Sequence, residues 1–224
     1  MDNKQLVAHH AVKSVKSGML VGLGTGSTAN FFIDELARLQ NEAGLSITTV
    51  ASSVVSAHRA RRLGLKLTAL ENIESIDLYI DGADEITPEY SLLKGRGYDL
   101  VREKLLARAA KEFIVVADPS KLVSHIGEKF SIPIEVMPFA WQLVKAQLER
   151  LGGVGELRQN VAKDGLSITS HGSLVLDMKF EHISCADLNT LLNSMPGVVE
   201  HGIFIGLATK ILIADAGKIT EVIV

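Results

Sequence analysis

Apolar residues fall in short blocks along this chain, and their spacing changes character part-way. Leu6, Val7, Ala11, Val12 and Val15 recur at the three-and-four spacing of a helix face across residues 4–16. Gly18 ends that helix. A continuous apolar run at 19–24 reads as a buried strand, followed by a glycine turn and a second helix to about residue 39. A strand at 47–51 leads into a helix containing 58–63, which Gly64 stops. Residues 65–70, 76–80 and 113–117 read as further strands, and 99–111, rich in Leu, Arg, Glu, Lys and Ala, as a helix. Strands alternating with helices predict a parallel sheet with crossover helices.

The character shifts near Gly127. A strand at 132–136 is closed by Pro138, and an amphipathic helix at 139–151 is stopped by Gly152-Gly153. Asp164-Gly165 is a hairpin signal between candidate strands at 156–161 and 166–170. A strand at 173–180, a helix at 186–192 and a strand at 198–204 follow, with Pro196-Gly197 between the last two. The strand signals at 210–214 and 219–224 return to the first sheet. The expected organisation is an α/β protein: residues 1–126 plus 204–224 form a parallel-sheet domain, and 127–203 form a smaller inserted α+β domain.

Composition narrows the function. The 224 residues are 47% hydrophobic and 22% charged, with a net charge of −3 and no dense basic block, so nothing points to an electrostatic binder of nucleic acid. The one basic cluster, His58-Arg59-Ala60-Arg61-Arg62, reads as a solvated helix face. Cys185 is the only cysteine, so no intrachain disulfide forms. The apolar runs are too short to span a membrane. A soluble cytoplasmic protein with no membrane or nucleic-acid partner is expected.

Candidate chemistry gathers in residues 80–104, IDGADEITPEYSLLKGRGYDLVREK. Asp81, Asp84 and Glu85 directly follow an apolar strand, and ligands in open α/β sheets bind beyond the carboxyl ends of strands. Lys94 opens a second glycine loop through Gly95 and Gly97. Glu103 lies between Leu100 and Leu106 at helical spacing, and a carboxylate among apolar side chains suits a base working near neutrality. A surface Glu paired with a neighbouring Arg or Lys fits the same spacing. Upstream, Gly24-Thr25-Gly26-Ser27-Thr28-Ala29 joins a strand to a helix, the arrangement that aims N–H groups at an anion. It also matches the dinucleotide pattern G-x-G-x-x-A. The second strand ends in Ser52-Ser53-Val54 with no acid for a ribose, although Arg59 could serve a 2′-phosphate. Lys121 follows another strand end. His125, His171, His182 and His201 lack metal-ligand spacing.

The segments GTGST at 24–28, DGADE at 81–85, KGRG at 94–97 and REK at 102–104, in this order, resemble the ribose-5-phosphate isomerase A family. ADPSK at 117–121, IPIEVMP at 132–138, LGG at 151–153 and MPGVV at 195–199 extend the resemblance over nearly the whole chain. The resemblance implies a Rossmann-like domain with a smaller ferredoxin-like α+β domain, in a homodimer or homotetramer. It implies an aldose–ketose isomerase of the non-oxidative pentose phosphate pathway that interconverts ribose 5-phosphate and ribulose 5-phosphate without metal or organic cofactor. The motif match implies Glu103 as the base; the chemistry of the reaction then suits Lys94 and the Gly95–Gly97 backbone to the oxyanion, with Asp81 the candidate for ring opening and Asp84 for positioning hydroxyls. The resemblance implies that Thr25, Gly26, Ser27, Thr28, Asp81, Gly82, Ala83, Asp84, Lys94, Gly95, Arg96, Gly97 and Lys121 contact the phosphosugar.

One loop departs from the family, which has KGGG followed by small residues. Here Arg96 replaces a glycine, and Tyr98-Asp99 replace small residues. If position 96 needed a positive φ, arginine would be costly there. A non-catalytic phosphosugar sensor, or an isomerase or deaminase of another sugar phosphate, are the alternatives that this departure raises.

Overall fold

The computed structural model describes residues 2–224. Its helices are α1 Asn3–Ala11, α2 Ser27–Ala43, α3 Val54–Arg62, α4 Leu100–Ala109, α5 Trp141–Arg150 and α6 Cys185–Ser194. Its strands are β1 Leu20–Leu23, β2 Thr48–Ala51, β3 Ile76–Gly82, β4 Glu85–Ile86, β5 Leu92–Leu93, β6 Ala110–Ala117 and β7 Ile132–Val136. They continue with β8 Val154–Leu157, β9 Leu174–Lys179, β10 Val198–His201, β11 Ile203–Phe204, β12 Lys210–Asp215 and β13 Lys218–Ile223.

The chain divides into two compact units. The first comprises the residues up to Ala83, Arg102–Lys121 and Gly206–Val224. Its sheet has the order β13-β12-β6-β3-β1-β2, parallel throughout except for antiparallel β13. Strand interiors such as Val21, Leu23, Leu78, Ile80, Ile114 and Val116 are buried against α1 and α2, which supply Val7, Ala11, Phe32, Ile33 and Leu36. Each Val, Leu, Ile or Phe among them contributes about 1.5–3 kcal/mol on leaving water. The chain leaves β1 towards β2 on one side, while β3 lies on the other. That reversal opens a crevice at the carboxyl ends of β1 and β3.

The second unit is Asp84–Val101 with Leu122–Ile205. Its four-stranded antiparallel sheet, β10-β7-β9-β8, packs Ile134, Val136, Leu176 and Met178 against Val144 and Leu148 of α5 and Leu188 and Leu192 of α6. Helices after its first and third strands give the βαββαβ order of a ferredoxin-like unit. A small sheet, β11-β5-β4, completes it.

Several expectations need adjusting. Residues 84–101 and 122–126 group with the second unit, because β4 and β5 pair with each other and with β11. Glu85 ties them further: its carboxylate accepts the N–H groups of Gly127 (2.7 Å), Lys129 (2.7 Å) and Phe130 (2.8 Å). The expected strand at 65–70 reduces to a bridge between Leu67 and Thr49, because a 3-10 turn at Leu70–Asn72 cuts the ladder short. The chain does reverse at Asp164-Gly165, where Gln159 and Leu166 form an antiparallel bridge, but the strands expected at 156–161 and 166–170 reduce there to isolated bridges. Asn160 draws the turn towards itself by donating to the Asp164 carboxylate (2.8 Å) and accepting the Asp164 N–H (3.3 Å).

Candidate active site

In the first unit, the turn after β1 and the end of β3 are built on one another. Gly24 donates its N–H to the Ile80 carbonyl (2.9 Å). A Cβ at Gly24 would lie 2.2 Å from the Asp81 carboxylate, so only glycine admits this approach. Asp81, wholly buried, accepts the Thr25 N–H (3.0 Å), the Gly82 N–H (2.8 Å) and the Tyr79 hydroxyl. Burial, and then the charges of Asp81 and Glu103, push the Tyr79 hydroxyl well above its ordinary value, so it stays a donor. Its ring stacks on Phe113 with centroids 4.9 Å apart.

The Thr25 hydroxyl is occupied by a serine cluster: Ser52 (2.8 Å), Ser53 (2.7 Å) and Ser56 (3.0 Å). Ser56 in turn donates to the Gly24 carbonyl (2.6 Å). The structure therefore uses Thr25 to hold the loop, where the sequence suggested a donor to the ligand. Gly26 is the N-cap of α2 and contributes no side-chain cap, and Ser27 is exposed with Thr28 half-buried beside it. The positive end of α2 is thus open to an anion.

Glu103, on α4, is 5% exposed, and its neighbours Leu100 and Leu106 are 2% and 0% exposed. The carboxylate lies in the interior, which removes the solvated-surface reading of this residue. Gly82 and Ala83 complete the β3 end in the same unit. Lys121 follows β6 in a 3-10 turn, Pro119–Lys121. Burial pushes the neighbouring Asp118 carboxyl up, but hydrogen bonds from Ser120 and the Lys121 charge outweigh it and leave Asp118 below its ordinary value.

The second unit holds Asp84, Lys94, Gly95, Arg96 and Gly97. Asp84 donates its N–H to Leu93 (2.8 Å), and Lys94 donates its N–H to Gly202 (2.9 Å). Lys94 is 4% exposed, unusual for an ammonium, with its Nζ 5.8 Å from the Phe204 ring centre. Arg96 is exposed and stacks its guanidinium over Phe130, 3.9 Å from the ring centre. Among the described residues, the non-glycine positions with positive φ are Tyr90, Lys163 and Ala216, so arginine at 96 carries no such strain. The buried Asp99 accepts the Ser170 hydroxyl.

The dinucleotide alternative loses its last support here. Arg59, the candidate partner for a 2′-phosphate, is forked onto Asp34 (2.8 and 2.5 Å), and Ser52 and Ser53 turn to Thr25. Among the described residues, no group of three or more His, Cys, Asp or Glu side chains could hold a metal ion, and no helix is long and apolar enough to cross a membrane. Sequence reasoning missed Tyr79 and the serine cluster. Tyr79 acts on a carboxylate two residues along, and the serines act on the Thr25 hydroxyl and the Gly24 carbonyl from about 30 positions away, partnerships that no local motif encodes.

The sequence profile of ribose 5-phosphate isomerase A (phosphoriboisomerase A) matches residues 48–218. The chain is 44% identical over 214 residues to the ribose-5-phosphate isomerase A of Thermosynechococcus vestitus, covering 95% of this chain and 91% of that protein. It is 43% identical over 215 residues to the Thermococcus kodakarensis protein of the same name, covering 94% and 93%. The fold superposes with a TM-score of 0.95 on a D-ribose-5-phosphate isomerase in complex with phospho-erythronic acid, at 35% identity and complete coverage of both chains. The ribose 5-phosphate isomerase A of Methanocaldococcus jannaschii gives a TM-score of 0.94 at 37% identity, covering 100% of this chain and 99% of that one. The chain belongs to the ribose 5-phosphate isomerase A family.

Proposed function

We propose that this protein interconverts D-ribose 5-phosphate and D-ribulose 5-phosphate, the aldose–ketose step of the non-oxidative pentose phosphate pathway. The observation that carries the reading is the buried Glu103 carboxylate, held between two buried leucines on α4. Glu103 removes the proton from C2 of the open-chain aldose. The electrons form an enediolate, O1 takes up a proton as O2 gives one up, and Glu103 returns the carbon proton to C1. Lys94 and the backbone N–H groups of its loop stabilise the oxyanion. Asp81 assists ring opening and Asp84 positions hydroxyls. The phosphate is a non-reacting handle: the open N-terminus of α2 at Ser27 and Thr28, with Lys121, receives it and so orients the reacting carbons. The reaction needs no metal or organic cofactor. A homodimer or homotetramer in the cytoplasm accompanies this reading, and sedimentation would measure the assembly.

The test is conversion of ribose 5-phosphate in chelator with no added nucleotide, alongside Glu103→Gln. We expect turnover in the wild type and a loss of roughly a thousandfold in the variant, with substrate binding retained. Equal turnover in both would remove Glu103 as the base. Silence in both, with the phosphosugar still bound, would favour the sensor reading. Turnover across other phosphosugars tests whether Arg96, Tyr98 and Asp99 have shifted the preference.

A further inference from the structure

We infer that Arg158 is a positioning residue that sets the backbone of the Lys94 loop; the inference rests on the isomerase reading above. Arg158 is only 13% exposed. Its Nε and one Nη fork onto Asp177 at 2.8 and 2.6 Å, which fixes the plane of the guanidinium. The other Nη is aimed at three consecutive carbonyls: Gly95 (3.1 Å), Arg96 (3.2 Å) and Gly97 (2.8 Å).

Three successive carbonyls turn to one point only if the chain coils around it, and Gly95 supplies the bend with φ +93°. A trans peptide points each carbonyl and the next residue's N–H in opposite directions. Holding the carbonyls of Gly95, Arg96 and Gly97 on Arg158 therefore directs the N–H groups of Arg96, Gly97 and Tyr98 away from it. Among the described residues, none of these three donates to a backbone carbonyl. They form an oriented set of donors directly after Lys94, and the cation behind the carbonyls increases their polarity. Arg158 acts through the loop and does not itself meet the sugar. Lysine cannot substitute, because one ammonium does not satisfy a forked carboxylate and three carbonyls in fixed planes.

The experiment compares wild type with Arg158→Lys and Arg158→Ala. In Arg158→Lys we expect kcat to fall roughly 100-fold and KM to stay within about threefold. Backbone amide NMR order parameters across 95–98 should fall from rigid values of about 0.85 towards about 0.6 while the melting temperature stays close to wild type. In Arg158→Ala, millimolar guanidinium should restore part of kcat, because Asp177 and the carbonyls still form its site, whereas ammonium should not. A folded Arg158→Lys with unchanged kcat, or with unchanged order parameters at 95–98, overturns the inference. So does a loss confined to melting temperature with no rescue by guanidinium. Should the wild type fail to isomerise, the functional reading falls by itself, and the order parameters at 95–98 still decide whether Arg158 holds the loop.

Discussion

The two carboxylate oxygens of Asp81 accept the Thr25 N–H, the Gly82 N–H and the Tyr79 hydroxyl. An amide in its place offers one acceptor oxygen, so Asp81→Asn leaves at least one buried donor unmatched. The expected cost is about 1–3 kcal/mol in urea unfolding, together with a fall in turnover as the loop at 24–28 loosens. Arg96 is the opposite case. Its side chain lies on Phe130 at the surface, so Arg96→Gly should cost only about 0.5–1 kcal/mol and leave kcat/KM within about threefold. Loss of activity in that variant would mean that Arg96 contacts the sugar phosphate. Glu135, wholly buried in β7, makes a prediction in pH. Burial raises its carboxyl; hydrogen bonds from Thr169 (2.7 Å) and Ser173 and the charge of His171 pull it down, and Asp99 pushes it up. The folded value stays above the unfolded one. The folded state therefore holds the proton more tightly, and stability falls as pH rises from 4.5 through the raised folded value. Glu135→Gln should lack that fall when unfolding is followed across the same range.

At the scale of elements, the turn between β2 and α3 serves two purposes. Ser53 caps α3 by accepting the Ser56 N–H (3.1 Å) and also meets the Thr25 hydroxyl. Ser53→Ala should destabilise the protein by about 1 kcal/mol through the cap and raise KM through the loop, whereas a capping role alone would leave KM unchanged. Periodicity made the long elements legible. The strand expected at 132–136 is β7, and the returning strands at 210–214 and 219–224 are β12 and β13. The two-residue strands β4 and β5 were illegible, because two residues carry no period and their pairing depends on β11 more than 100 positions away. The same distinction runs through the site. Glu103 could be located from its flanking leucines, but Arg158 could not, since its partners are carbonyls about 60 positions earlier in the chain. Thr25 matched a phosphate-binding pattern, yet the pattern cannot say which way a hydroxyl turns.

At the scale of the molecule, the second unit is not a single stretch of sequence. Its core takes Leu93 from the early segment and Ile203 from the late one, and Glu85 binds three N–H groups at 127–130. A fragment cut at 127–203 would lose the buried Leu93, worth about 2–5 kcal/mol, and three charge-assisted hydrogen bonds of about 1.5–3 kcal/mol each. Those losses match the whole stability of an ordinary domain, so the fragment should melt without a cooperative transition by circular dichroism. Cooperative melting of that piece would show that 84–101 contributes little. The lone thiol at the start of α6 has a practical consequence. Burial pushes Cys185 up to about 11, so it stays protonated and slow to alkylate at neutral pH. A maleimide dye applied at neutral pH should therefore mark a cysteine introduced at exposed position 96 in strong preference to Cys185. That gives a fluorescent reporter on the Lys94 loop without first removing the native thiol.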